Sequence, residues 1–166
     1  MERIYCGGRF CFDFLNEDFE SRAAEDYRTH LLGDVSLLIG NDRSVRLSDN
    51  LEYVGPFYCQ TDGAVDGDIV AGEMRQIEEC TYAFFLLDDC GCPGSITELL
   101  YAAYRKKRIV IYYVIDERET ESRLFSPCWY PILHCQQVNG ALTEVVPCID
   151  LAEAGRRIAE RVNNMK

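Results

Sequence analysis

The stretch from Tyr82 to Val114, YAFFLLDDCGCPGSITELLYAAYRKKRIVIYYV, limits the fold more than any other part of the chain. Tyr82 to Leu87 is almost wholly apolar, too short for a helix and too apolar for a half-exposed strand. Arg108 to Val114 is a second such run, rich in β-branched and aromatic residues. Runs of this kind suit parallel strands covered on both faces. Between them, Ser95 to Lys107 holds strong helix formers and ends in basic residues, which the helix dipole favours. The stretch therefore reads as strand, loop, helix, strand, one βαβ unit. Its loop, Asp88 to Gly94, leaves the carboxyl end of a strand and enters a helix N-terminus. Open α/β sheets bind ligands at that edge.

Charge and cysteine usage narrow the classes of function. The 166 residues suffice for one domain, residues 1–166, with a sizeable core. A net charge of −11 argues against a nucleic-acid partner. The one basic cluster, Arg105 to Arg108, reads as a solvated helix end. No run reaches the ~18 apolar residues that a membrane span needs. The start, MERIYCGGRF, lacks a basic segment followed by an apolar core, so no membrane association and a cytoplasmic location are expected. The nine cysteines are odd in number and scattered, which disfavours a disulfide framework. Cys90 and Cys92 form a CxC with no second pair and no nearby histidine, since His30 and His134 lie far apart in sequence. No metal is therefore expected. Neither GxGxxG nor GxxxxGK[ST] occurs.

Taken in order, the chain alternates strand and helix signals. Arg3 to Cys6 is a short strand, and Gly7-Gly8 after it allows backbone to approach a ligand or forms a plain tight turn. Phe10, Phe12 and Phe14 alternate along an extended segment. Glu20 to Leu32 has helical spacing and stops at Gly33. Val35 to Ile39 and Leu51 to Val54 read as strands with a polar excursion between them, and Gly55-Pro56 as a turn. Gln60 to Asp68 reads as a loop, then Ile69 to Cys80 as a helix with Ile69, Val70, Met74 and Ile77 buried. After the βαβ unit, Trp129 to Cys135 reads as a fifth strand and Leu142 to Val146 as a short edge strand. Asp150 to Asn163 is the closing helix, with Leu151, Ala154, Ile158, Ala159 and Val162 facing in. Such alternation predicts a single-domain α/β sandwich, flavodoxin-like, with a mainly parallel sheet of about five strands.

Glu98 is the carboxylate nearest the loop after the central strand. It fits a capping box, with Ser95 at the N-cap and Glu98 three residues on. It also fits a reactive group at the ligand-binding edge, a reading that needs a second carboxylate and a polar pocket on the same edge. A carboxylate at a helix N-terminus is expected to have a low pKa and to stay ionised.

PGSITELLYA is similar to the motif of the nucleoside 2-deoxyribosyltransferases and their N-glycoside hydrolase relatives: a Gly, a Ser or Thr, two variable residues, Glu, and a hydrophobic helix ending Tyr-Ala. YAFFLLDD resembles that family's preceding strand, and IYCGGRF its opening strand and glycine turn. GEMRQIEECTYAFF resembles the family's entry into the central strand, with Thr81 where Asp is usual. YVGPFY resembles a Gly-Pro-aromatic strand end found in part of the family. Leu99 stands where the family commonly has Gly, the CGCP loop is unusual for it, and the family's C-terminal residues do not match NNMK.

The resemblance implies cleavage or transfer of the N-glycosidic bond of a (deoxy)nucleoside or nucleotide. Glu98 would be the nucleophile, forming a covalent glycosyl ester. By ungapped count from Ile77, Glu73 matches the helper acid, with Asp68 the alternative. Gly94 and Ser95 belong to the motif and, with Gly7 and Gly8, are expected beside the substrate. Asp88 and Asp89 match the acids that hold sugar hydroxyls. Tyr5, Phe10, Phe57 and Tyr58 are candidates for stacking on the base or for the core. No organic cofactor is implied, and a homo-oligomer is. The alternative is a catalytically degenerate nucleotide-binding or sensing module of the same fold.

Overall fold

The computed structural model describes residues 1–8, 25–39, 43–57, 66–88, 93–114 and 128–166, without the side chains of residues 66–68. The central βαβ unit is present as read. Strands β1 (Glu2–Gly8), β2 (Val45–Ser48), β3 (Leu51–Gly55), β4 (Tyr82–Leu87), β5 (Arg108–Val114) and β6 (Thr143–Cys148) form one sheet. The helices among the described residues are α1 (Tyr27–Leu32), α2 (Asp66–Glu79), α3 (Pro93–Tyr104), α4 (Trp129–Asn139) and α5 (Leu151–Asn163).

The strand order is β2-β3-β1-β4-β5-β6. All neighbours run parallel except β2, which closes an antiparallel hairpin onto β3. Without β2, the five parallel strands follow the flavodoxin-like order, in which chain direction reverses between the first and third of them, here β1 and β4. Their carboxyl ends, Gly7-Gly8 and Leu87-Asp88, therefore flank the crevice where such sheets bind ligands.

Alternation along the strands splits the core in two. Tyr5, Phe85, Leu87, Ile109 and Ile111 face α2, α3 and α4, through Ile77, Leu99, Ala102, Ala103 and Ile132. Ile4, Cys6, Phe84, Leu86 and Val110 face α1 and α5, through Leu31, Ala154, Ile158 and Val162. Both faces being covered explains why β4 and β5 read as continuous apolar runs.

Three expectations change. Trp129 to Cys135 is helical, not a strand. Its buried residues, Ile132, Cys135 and Asn139, recur at helical spacing, and Pro131 sits in the first turn, where its missing N–H costs nothing. Val35–Leu37 is a 3-10 turn rather than a strand, because the Asp34 carboxylate accepts from the Ser36 N–H at 2.8 Å. On α2, Ile77 is buried but Ile69 and Val70 are exposed. That helix starts at Asp66, so they precede the part that meets the sheet.

The carboxyl end of β1 is completed by a side chain. β3 pairs with β1 only up to Tyr5↔Gly55. Beyond it, the Cys6 and Gly8 carbonyls face the edge that β3 has left, since β4 holds the other edge as far as Gly8↔Leu86. Arg28, in α1, donates from Nε to Cys6 O at 2.8 Å and from Nη2 to Gly8 O at 2.6 Å. Its charge is met by Asp26 Oδ2 at 2.7 Å, and both side chains are 0% exposed. Asp26 Oδ1 also accepts from the Arg28 N–H at 2.9 Å, which caps α1. Burial works against the Arg28 charge, but Asp26, together with Tyr27, Tyr53 and Cys6, outweighs it and raises the pKa. Replacing Arg28 with Met should cost about 3–5 kcal/mol, since it strands the Asp26 charge and two carbonyls. Guanidinium unfolding at pH 7 measures this, and adding Asp26→Leu should recover part of the loss.

Candidate functional site

Glu98 reaches the carboxyl edge of β1 from α3. That helix begins at Pro93, a favoured first-turn residue, so Ser95 lies inside it and is not the N-cap. The expected capping box is therefore not formed. Glu98 is instead 7% exposed and turned against the sheet. A Cβ added to Gly7 would lie 3.0 Å from Glu98 Oε2 and would overlap the Phe85 ring. Glycine at position 7 thus makes room for the carboxylate on the α2–α4 face of β1. Gly8 follows with φ 134°, a conformation that L side chains rarely adopt.

Three further polar groups converge there. Glu73, from the middle of α2, is half-buried and close enough to act on the Glu98 charge. The Tyr5 hydroxyl, from β1, is buried without a partner of ordinary hydrogen-bond geometry, and it favours the ionised form of Glu98. Gln76, one turn beyond Glu73, has its Oε1 buried against Gly55, also without a partner. Among the described residues neither atom has such a partner, so both, the Tyr5 hydroxyl beside the two carboxylates and Gln76 Oε1 by Gly55, leave hydrogen-bonding capacity for a ligand.

The electrostatics differ from the low pKa expected of a helix N-terminus. Burial first, and the Glu73 charge second, push the Glu98 carboxyl up to about 7. Tyr5 and Arg28 pull it down by less. Burial also raises Glu73. The cause is position: Glu98 lies deeper in α3 than a capping residue, and the buried cation Arg28 is already matched by Asp26.

The remaining sequence candidates divide. Gly8 lies at the crevice, beside Gly7. Ser95 is buried in the first turn of α3, and Gly94 before it is exposed. Phe57 is buried in the α1–α5 core, edge-to-face with Tyr53 at 5.2 Å, so it packs rather than stacks on a ligand. Asp88 ends β4, but it lines a cavity on the α1–α5 face, away from the Glu98 face. Phe10, Tyr58 and Asp89, the Cys90/Cys92 pair and the Asp68 side chain lie outside the described residues. Sequence reasoning placed Tyr5 only as a stacking or core residue. The period-2 pairing of Tyr5 with Gly7 on one face was the available signal for its proximity to Glu98.

No protein-family model and no curated protein matches the chain. Among solved structures, the chain is similar to the CMP N-glycosidase BcmB of Clostridium botulinum. The TM-score is 0.54 at 12% identity, covering 96% of this chain and 99% of that one. The two share a fold. At this identity the likeness carries the architecture, and the site must be argued from its own residues.

The raised Glu98 pKa fixes a sign for stability. A carboxyl with a folded pKa of about 7, against an ordinary 4.5, binds more protons folded than unfolded between those values. Its favourable contribution is full below pH 4.5 and is lost as pH rises through about 7. Glu98→Gln should therefore melt at higher temperature than the parent at pH 8, with the gap closing towards pH 4.5. Thermal melts across that range test it, and a gap independent of pH would contradict it.

Proposed function

We propose that the chain cleaves or transfers the N-glycosidic bond of a (deoxy)nucleoside or nucleotide, with Glu98 as nucleophile and Glu73 as its acid–base partner. The observation that carries this reading is the pair itself: two half- to fully buried carboxyl groups from different helices, at the carboxyl edge of the switch-point strands, beside Gly7. Structural carboxylates are seldom buried together without a cation, because each raises the cost of ionising the other. The shared fold with a CMP N-glycosidase supports the same chemistry.

In the first half-reaction, a Glu98 oxygen attacks C1′ of the sugar as the C1′–N bond breaks. The departing base takes the bonding pair and receives a proton from Glu73. The transition state has oxocarbenium character, which the Glu98 carboxylate stabilises from one face. In the second, water or another base attacks C1′ and gives its proton to Glu73, and Glu98 leaves as the carboxylate. The Tyr5 hydroxyl favours the ionised form of Glu98 that attack requires, against the larger effects of burial and the Glu73 charge. No residue in this scheme needs a metal.

Glu98→Ala should abolish base release and base exchange in a panel of nucleosides and nucleotides read by chromatography, CMP included. Glu73→Ala should slow the reaction by about 10²–10⁴, the usual worth of a positioned acid–base group. For the parent, kcat/KM should rise with pH through about 7, as Glu98 loses its proton. Tyr5→Phe should move that inflection upward. A rate that instead falls above pH 7 would reverse the two roles and make Glu98 the proton donor.

A carboxyl group protonated near neutral pH also suits the second reading, a module that binds a nucleotide without turnover, because it can donate a hydrogen bond. No base release from any compound in the panel, together with a thermal shift by one of them, would establish that alternative.

A further inference from the structure

A cavity of about 610 Å³ lies between α1 and α5, over the carboxyl end of β4. It is on the opposite sheet face from Glu98, since Leu86 belongs to the α1–α5 core and Phe85 to the other. Its volume is in the range of small-molecule sites. We propose that it is a second ligand site, for a small planar N-heterocycle that carries an acidic group. This inference does not rest on the glycosidic reading of Glu98.

The anionic end of the ligand is matched by α5. Among the described residues Arg156, which lines the cavity, makes no ion pair or hydrogen bond, whereas Arg157 and Arg161 of the same helix are paired with Glu153 and Glu144. Leu151 and Ala152, the first two residues of α5, also line it. Asp150 caps the helix through the Glu153 N–H at 2.6 Å, which leaves the N–H groups of Leu151 and Ala152 without a partner among the described residues. A helix N-terminus and an arginine on the next turn favour one negative group between them. His30 contributes from α1.

The rest of the cavity selects the body. Leu86, the Tyr27 ring, Gly155 and Ala159 form apolar walls. Gly155 sits where a Cβ would come 2.9 Å from Tyr27 Cβ, so α1 and α5 close together at that point and the space opens only beside it. Glu25 adds a carboxylate. It disfavours a bare anion and favours a body with N–H donors. An acid group, a flat apolar ring and an N–H edge together describe an acidic heterocycle.

Orotate has all three features and no glycosidic bond. Calorimetric titration of the full chain should show one equivalent of orotate bound, and uracil, which lacks the acid, should bind at least about tenfold more weakly. Arg156→Ala should weaken orotate binding by about tenfold or more, and Ala152→Phe should abolish it by filling the cavity. Arg156 and Ala152 are both exposed, so neither change disturbs the core. Glu98→Gln should leave orotate affinity unchanged. No binding of orotate at millimolar concentration would overturn the proposal. So would unchanged affinity in both cavity variants, or loss of binding in Glu98→Gln, which would put the ligand at the carboxylate pair.

Discussion

The buried Arg28–Asp26 pair is the interaction on which the ligand-binding edge depends. A parallel strand at a topological switch point has a problem of accounting. One neighbour must leave early to open a crevice, and the carbonyls it abandons still need donors. Here β3 leaves at Gly55, and the Arg28 guanidinium serves the Cys6 and Gly8 carbonyls in its place. A longer β3 would satisfy the same carbonyls but would fill the crevice. A side chain delivered from α1 does so from one face and leaves the other open. The Tyr27 hydroxyl, at 3.2 Å from both Cys6 O and Gly7 O, adds to the same clamp. The cost of burying an arginine is met by a carboxylate that also caps the helix, so a six-residue helix is fixed at both ends, with Gly33 closing it.

Fixing Arg28 in this way shapes the electrostatics on the far side of β1. Its charge is committed to Asp26 and to two carbonyls, and it acts only weakly on Glu98. Among the described residues, Glu98 and Glu73 therefore stand together in a poorly solvated place without a cation of their own. The rise of the Glu98 pKa from 4.5 to about 7 corresponds to ~3 kcal/mol of stability withheld when the group ionises. That is a sizeable part of a domain's net stability. A chain under selection for stability alone would place glutamine there. The proposed nucleophilic role gives a reason for a carboxylate at a position where glutamine would be the more stable choice.

The two readings of residues 82–114 fared differently for a physical reason. Strands β4 and β5 were legible to the residue, because full burial on both faces leaves no polar residue to blur their limits. Trp129 to Cys135 has the same apolar look but is the helix α4. A short apolar run carries no period, and only its partners decide. Glu98 was legible as a group of interest. Its environment was not, because local pattern matched it to a cap. Pro93 starts α3 two residues before Ser95, which carries Glu98 past the first turn and into the core side of the helix. Arg28 and Asp26 gave no signal. A charged pair two residues apart in a helical segment looks solvated, and nothing local reports that β3 will abandon two carbonyls beside it.

The end of β1 also separates two spaces. Gly7 has no side chain, so Glu98 lies directly against the strand on one face. On the other, the Tyr27 ring walls the cavity between α1 and α5, while its hydroxyl holds the Cys6 and Gly7 carbonyls. Switch-point folds place a ligand at the carboxyl ends of their strands without specifying a face. In this chain each face has its own polar groups, carboxyls on one and Arg156 with a helix N-terminus on the other. The acid–base chemistry suits the first, and the recognition of an acidic body suits the second.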